Sequence, residues 1–185
     1  ESSAKPLSPR HLAELSSKHL QLLKEIIPGT SRVAVLANPD INASQLRELN
    51  RVAGPLSVDI RAVDVKSAAD LDGAFDAAKN WRADALIVLS NPLSLAHRTR
   101  IGELAEKAGL PTIYLYRAHV DAGGLISYGP DLSDMFRRCG GYVGRILGGT
   151  KPADLPIERP ARFEMVVTAK ALGITSPETI LVRAD

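Results

Sequence analysis

Two stretches of the sequence place amide and hydroxyl side chains directly after a short apolar run. Asn38 and Ser44 follow the first run, and Ser90 and Asn91 follow the second. Such side chains can hydrogen-bond a polar solute, and free backbone N–H groups at a helix N-terminus attract a carboxylate or a phosphate. The same residue types also serve as ordinary caps and turns, which is the favoured interpretation for any one of them. Taken together, at one edge of a sheet, they favour a binding crevice.

Three further residues carry groups that could hold a solute. Tyr116 and Arg117 follow a third apolar run, and a guanidinium can bind a carboxylate through two parallel hydrogen bonds. Arg117 could equally be a surface cation. Asp131 could accept a ligand ammonium or cap a helix that starts at Leu132; capping is the favoured role, although the two are compatible. The candidate ligand-binding residues are Asn38, Ser44, Ser90, Asn91, Tyr116, Arg117 and Asp131.

The sequence contains no catalytic, metal or cofactor motif. GxGxxG after a strand, GxxxxGK(S/T) and GxSxG are all absent. The histidines, His11, His19, His97 and His119, are too scattered for a metal site. The single cysteine, Cys139, lies in a helical apolar pattern, which predicts a small buried side chain rather than a nucleophile. We therefore expect no enzyme activity, no cofactor and no metal.

The composition fits one ordinary domain of 185 residues with a sizeable core. The formal charge is only +2, from 23 basic and 21 acidic residues, and aromatic residues make up 4% of the chain. A nucleic-acid groove needs clustered cations or stacking aromatics, so no nucleic-acid partner is expected. No apolar run approaches the roughly 18 residues of a membrane span. The N-terminus is polar and lacks both a signal peptide and an initiating methionine, which points to a mature form or a fragment; the missing signal therefore does not indicate the cytoplasm.

Apolar periodicity and turn residues predict alternating helices and strands. The first helical stripe runs from Leu12 to Ile27, follows Ser8-Pro9, and stops at Pro28-Gly29. The later predicted helices cover residues 44–53, 68–81 with Ser67 as N-cap, 93–108 with Gly109 as cap, 132–147 and 169–172. The predicted strands cover residues 33–37, 58–65, 85–89, 111–115, 125–128 and 163–168.

This alternation predicts an α/β fold: a doubly wound, three-layer parallel sheet of the Rossmann-like kind, with right-handed crossovers. The uninterrupted apolar run over residues 85–89 suits a central strand covered on both faces. The loops after Leu36, Leu89 and Leu115 then fall on one carboxyl edge, where folds of this class bind ligands.

Three stretches make the chain resemble a known family. They are HLQLLKEIIPGTSRVAVLANP, RADALIVLSNPLSLAHRTRIGELAEKAGLPTIY, and AGGLISYGPDLSDMFRRCGGYVGRILGGTKPADLPIE followed by FEMVVTAKALG. In order and spacing they resemble the substrate-binding proteins of ABC transporters. The resemblance is to the family with a type 1 periplasmic-binding fold that includes tryptophan- and other aromatic amino-acid-binding lipoproteins. It spans nearly the whole chain.

Members of that family are larger, with two α/β lobes joined by a hinge, and this chain resembles only the second part. The resemblance implies a polar lead over residues 1–9 and a C-terminal lobe over 10–127. It further implies a crossover helix over 128–150 that belongs to a missing first lobe, and a connector, return strand and tail over 151–185. Without that lobe, the helix Leu132–Leu147 is expected to pack back on this lobe or on a second copy.

The resemblance also implies a function without chemistry. A small polar solute, such as an amino acid, would bind between the lobes. The closed protein would dock on an ABC permease in the membrane, in the periplasm or otherwise outside the cytoplasm. The loops carry Asn-Pro and Asn-Pro-Leu, unlike those of the aromatic-acid binders, which leaves the solute open. Two alternatives also stay open: a ligand-sensing lobe of a regulator or receptor and, less favoured, a Rossmann-like enzyme.

Overall fold

Seven α-helices, one short 3-10 helix (Pro152–Asp154) and six strands form the regular structure of the part of the chain that the structure describes. The computed structural model describes residues 9–156 and 162–168. The helices are α1 (Pro9–Ile26), α2 (Pro39–Ala53), α3 (Asp70–Asn80), α4 (Pro92–Ala96), α5 (Arg98–Ala108), α6 (Arg117–Val120) and α7 (Leu132–Leu147). The strands are β1 (Arg32–Ala37), β2 (Asp59–Asp64), β3 (Ala85–Val88), β4 (Thr112–Tyr114), β5 (Ile126–Pro130) and β6 (Phe163–Val167).

The strands form a single sheet in the order β2-β1-β3-β4-β5-β6. β1 to β5 run parallel, and β6 pairs antiparallel with β5 at the edge of the sheet. Because β1 lies between β2 and β3, the order of the strands reverses there, which is the mark of a doubly wound sheet. The predicted fold class is therefore confirmed, with one antiparallel strand added at the edge.

β1 is buried on both faces because its side chains alternate between two cores. Val33 and Val35 pack in the core that contains α1 and α2 residues, whereas Ala34 and Leu36 pack in the core that contains α3 and α5 residues. Full burial of an aliphatic side chain stabilises the fold by about 1.5–3 kcal/mol. An apolar strand with no polar interruption is what this two-sided burial requires.

Two glycines are dictated by local geometry. Gly109 ends α5, as predicted, with a left-handed φ of 63° that other residues adopt at a cost. Gly129 lets β5 approach the end of β4, since a Cβ there would stand 2.0 Å from the Leu115 carbonyl oxygen.

Two helix starts differ from those expected. α2 begins at Pro39 rather than near Ser44, because Asn38 caps it and proline suits the first helical position. The helix predicted from residue 93 begins at Pro92 and is divided at His97 into α4 and α5.

The start of α3 reverses an expected cap. Ser67 does not cap the helix; instead the carboxylate of Asp70, its first residue, accepts hydrogen bonds from the backbone N–H groups of Lys66 and Ser67 at 3.0 and 2.8 Å. These bonds hold the pKa of Asp70 below its usual value. α6 was not predicted, because only four residues form it.

α7 has the predicted bounds but leaves its apolar side chains in solvent. Phe136 is 73% exposed and Leu147 is 83% exposed. Cys139, predicted to be buried, is exposed, since no described element covers that face. The expectation that α7 packs back on this lobe is therefore wrong, and packing on a second copy stays a prediction. The helix predicted over residues 169–172 lies outside the described residues.

None of the helices described here is long and apolar enough to cross a membrane.

Candidate functional site

The carboxyl ends of β1 and β3 lie side by side where the strand order reverses. In doubly wound sheets a crevice opens at this point because the two crossovers turn away from each other. Asn38 follows β1, and Ser90 and Asn91 follow β3. The structure thus brings together the first two predicted loops.

Asn38 is the N-cap of α2. Its side-chain oxygen accepts a hydrogen bond from the Asp40 N–H at 3.0 Å, and its own backbone N–H donates to Asn42 Oδ1 at 3.0 Å. The residue is half-buried. Its amide therefore acts as a cap that fixes the path of the chain from β1 into α2.

Asn42, which the sequence did not single out, joins the two loops. Its side chain is 1% exposed. The Nδ2 group donates to Gln45 Oε1 at 2.7 Å and to the Ser90 carbonyl at 3.2 Å. Its Oδ1 accepts from the Asn38 N–H at 3.0 Å and from Asn91 Nδ2 at 3.3 Å. Every polar atom of this buried amide has a partner, so it holds both loops in one arrangement.

Gln45 extends the network to α1. Its side chain is 4% exposed, and its Nε2 donates to Ser16 Oγ at 3.2 Å. Ser16 in turn donates to the Leu12 carbonyl at 2.9 Å. The loops at the carboxyl edge are thus tied to the first helix of the chain.

Asn91 and Ser94 form a capping box at the start of α4. The Ser94 N–H donates to Asn91 Oδ1 at 2.9 Å, and the Asn91 N–H donates to Ser94 Oγ at 3.0 Å. Asn91 is 7% exposed and Ser94 is 0% exposed. The side chain of Asn91 is therefore committed to the fold, as the cap interpretation predicts.

Tyr116 follows β4 at the same edge of the sheet. Burial raises the pKa of its phenol. His119 supports it: the His119 Nδ1 lies 3.3 Å from the Tyr116 carbonyl and its ring stacks on Tyr114 with centroids 4.8 Å apart. Burial lowers the pKa of His119, which keeps the ring neutral at pH 7.

The first two predicted loops therefore meet in one hydrogen-bonded surface, and Tyr116 of the third loop lies at the same edge of the sheet. We call the hydrogen-bonded surface the amide wall; its members are Asn38, Asn42, Ser90 and Asn91. Ser44, also a candidate, lies half-buried within α2 and takes no part in these hydrogen bonds.

A second feature lies farther along the same edge, at the ends of β4 and β5. A cavity of about 300 Å³ contains Arg117 and Asp131, the two charged candidates, together with Asp121 and Glu164. Arg117 faces Asp121 across 3.4 Å and Glu164 across 3.7 Å. We call these four residues the charged cavity. Three carboxylates and one guanidinium line it, which suits a solute that carries both charges.

Asp131 caps α7, as expected. Its Oδ1 accepts a hydrogen bond from the Asp134 N–H at 3.0 Å. Asp134 is hydrogen-bonded by Arg137 and by Arg138, which hold its pKa below the usual value. These pairs give α7 a firm first turn next to the charged cavity.

Sequence reasoning missed Asn42, Gln45 and Glu164. A signal for the first two existed: Asn42 and Gln45 share the helical face of buried Leu49 at i, i+3 and i+7. Polar residues on an apolar stripe are candidates for a buried network. Glu164 gave no local signal, because β6 returns to the edge from far along the chain.

Within residues 9–156 and 162–168, no group of three or more His, Cys, Asp and Glu side chains is placed to hold a metal ion. The site so far consists of hydrogen-bonding groups and single charges, a chemistry of binding. The family comparison supports that view.

The family model described as "ABC transporter substrate binding protein" matches residues 12–185. The chain belongs to this family. The resemblance drawn from the sequence is therefore confirmed. No curated protein sequence matches this chain.

Solved structures of similar proteins show the same fold. A conserved domain protein from Vibrio cholerae O1 biovar El Tor is 26% identical over 91% of this chain and 58% of its own length, with a TM-score of 0.78. An ABC domain from Streptococcus pneumoniae, in complex with L-Trp, is 22% identical over 91% of this chain and 60% of its own, also with a TM-score of 0.78.

The substrate-binding protein CD0873 of Clostridium difficile, which has adhesive properties, is 21% identical over 87% of this chain and 56% of its own length, with a TM-score of 0.64. The chain therefore spans less than two thirds of each of these three proteins.

Proposed function

We propose that this chain is the second lobe of an extracytoplasmic solute-binding protein that serves an ABC importer. Residues 10–127 form the lobe, and residues 128–150 cross to a first lobe. Residues 151–185 supply the connector, return strand and tail. The greater length of the similar proteins supports this division, and so does the exposed apolar face of α7, which a first lobe would cover.

The observation that carries the proposal is the position of the amide wall and the charged cavity along one carboxyl edge. The wall orders the loops after β1 and β3, and the cavity beside it holds opposite charges within about 300 Å³. Ligands in open α/β sheets bind outside the carboxyl ends of the strands. A solute seated on this edge would still have one side free for a second lobe.

The solute is a small polar molecule, an amino acid or a similar compound. An amino acid carries a carboxylate, which Arg117 can bind, and an ammonium, which Asp131 can accept while it caps α7. Tyr116 directly precedes Arg117 at the same edge of the sheet, and Ser44 lies half-buried in α2. Both are further candidates for contact with the solute. The L-Trp bound to the pneumococcal protein is an example of such a solute in a protein of this fold.

The mechanism is binding without chemistry. A solute that contacts both lobes favours the closed state by its differential affinity for that state. The closed protein then docks on a membrane permease. In this scheme the amide wall keeps the loops of this lobe in a fixed arrangement, and most of the movement falls at the connections to the first lobe.

Calorimetry with a panel of amino acids tests the proposal. The chain alone should bind weakly or not at all, because half of the contacts are missing. The chain expressed with the coding sequence upstream of Glu1 should bind one solute of the panel with micromolar affinity. Micromolar binding by the chain alone would contradict the division into lobes. Failure of the longer protein to bind any polar solute would contradict the function.

A further inference from the structure

The chain leaves the sheet and returns to it at one place. β5 ends at Pro130 and β6 begins at Phe163, and these two residues are paired in the antiparallel ladder. The Asp131 N–H donates to the Arg162 carbonyl at 3.1 Å, immediately beyond that pair. Any rotation of α7 relative to the sheet therefore turns about these two adjacent crossings.

The charged cavity lies directly against these crossings. Arg117 is the first residue of α6 and Asp121 is its C-cap, whereas Asp131 caps α7 and Glu164 lies on the returning strand. The cavity thus lies between α6 on one side and the two crossing segments, the start of α7 and β6, on the other. A change of ion pairing inside it therefore acts on residues that directly adjoin both crossings.

Arg117 is held only loosely. Its distances of 3.4 Å to Asp121 and 3.7 Å to Glu164 exceed the 2.7–2.9 Å typical of charge-assisted hydrogen bonds. Within the described residues its guanidinium makes no hydrogen bond, and its side chain is 57% exposed. Its donors therefore remain open to a carboxylate that can approach more closely.

Glu164 has Arg117 as its ion-pair partner among the described residues, and its side chain is only 23% exposed. The carboxylate therefore lies at the wall of the cavity rather than out in solvent. An ion pair with one partner more than half exposed contributes little stability, so an incoming anion can displace it at small cost.

We propose that Glu164 is a gate residue: in the solute-free lobe it occupies Arg117, and the carboxylate of the solute displaces it and so breaks the ion pair that links α6 to the returning strand β6. This inference rests on the proposed solute-binding function and adds the residue that couples binding to the hinge. It commits to a solute that carries a carboxylate.

Asp121 provides the matched comparison. It faces the same guanidinium at a similar distance, but it is the C-cap of the helix that Arg117 begins, four residues on. Its loss changes the charge beside Arg117 as much as the loss of Glu164 does. It leaves the link from α6 to β6 in place.

Nuclear magnetic resonance of the chain titrated with sodium acetate, against sodium chloride at equal ionic strength, tests the gate. Acetate should shift the Arg117 Nε–H signal in the wild type, Glu164→Gln and Asp121→Asn. The β6 amides of Phe163 and Met165 should respond with it in the wild type and in Asp121→Asn. In Glu164→Gln that response should be lost, while the apparent affinity of Arg117 for acetate should rise about threefold.

Two outcomes overturn the gate: an Arg117 signal that acetate moves no more than chloride does, and β6 amides that respond as strongly in Glu164→Gln as in the wild type. The acetate experiment is independent of the proposed function. If the longer protein binds no solute while the acetate responses appear, the displacement of Glu164 by a carboxylate stands and the solute-binding function fails. If the longer protein binds its solute and acetate leaves Arg117 unmoved, the function stands and the gate fails.

Discussion

The amide wall and the charged cavity occupy neighbouring parts of one sheet edge, yet they differ in how completely their polar groups are paired. In the wall, Asn42 is 1% exposed and uses every donor and acceptor of its side chain. In the cavity, Arg117 is 57% exposed and its nearest carboxylates stand at 3.4 and 3.7 Å. Neutral groups that are buried and satisfied build the edge, whereas loosely paired charges remain available to a solute.

This contrast predicts opposite effects of substitution. Changes in the wall and in the buried core under the sheet should cost stability, because buried polar groups lose their partners. Changes in the cavity should leave stability nearly intact and alter binding of carboxylates.

The largest expected effect concerns His19, which supports the cavity side of the sheet from beneath. Its Nε2 lies 2.6 Å from the Tyr128 carbonyl of β5, and burial lowers its pKa to about 4. The unfolded chain binds the proton near pH 6.5, so the folded state loses about 3 kcal/mol as pH falls from 6.5 to 4. Urea unfolding between pH 7 and 4 should show this loss in the wild type.

His19→Gln is the control for that titration, since it can keep a donor to Tyr128 but cannot titrate. The variant should lose markedly less stability over the same pH range. Parallel pH profiles for the two proteins would contradict the assignment of a neutral, buried His19.

Asn42→Ala tests the wall itself. The substitution removes the hub between Ser90 and Asn91 and leaves buried groups without partners, so the free energy of unfolding should fall by about 2 kcal/mol. Asn50→Ala is the matched control, because Asn50 lies on the same helix and its exposed amide donates to the Leu46 carbonyl, a backbone group of its own helix. If urea denaturation shows equal losses of stability for the two variants, Asn42 is not a stabilising hub of the amide wall.

Ser94→Ala should have a smaller effect, about 1 kcal/mol, because it removes the reciprocal cap at the start of α4. Ser17→Ala serves for comparison: Ser17 is also a helical serine, but its hydroxyl bonds the Glu14 carbonyl at an exposed site. In thermal unfolding, the Tm of Ser94→Ala should lie below that of Ser17→Ala. The reverse order would contradict a stabilising role for the capping box.

The smallest expected change in stability is that of Arg117→Gln and Glu164→Gln, within about 0.5 kcal/mol of the wild type. Denaturation curves of both variants should overlay that of the wild type. A loss as large as that of Asn42→Ala would mean that the cavity is a structural ion-pair cluster, and the contrast between the two regions would be lost.

The fold followed from the sequence because its signals are local and consistent. Apolar runs of strand length alternate with helical stripes, and turn residues such as Gly109 separate them. The sequence places the start of α2 too late because Asn38-Pro39 suits a loop; asparagine before proline equally suits a helix cap followed by the first helical residue, which is what the structure has.

The site was predicted only in part, for a physical reason. Position at a strand end can be inferred from sequence, and Asn38, Ser90, Asn91, Tyr116, Arg117 and Asp131 all lie at the carboxyl edge. Whether a side chain is buried or free depends on contacts between distant segments. Asn42 reaches Ser90, and Glu164 reaches Arg117, only in the folded chain.

The exposure of Cys139 has a practical consequence. The sequence contains no other cysteine, and Cys139 shares the face of α7 that carries Phe136, Val143 and Ile146. A thiol-reactive dye therefore attaches at one known point on this face. The rate of that labelling falls when another surface covers the helix. The absorbance of the dye followed over time therefore distinguishes a solvent-exposed α7 from an α7 covered by a first lobe or by a second copy of the chain.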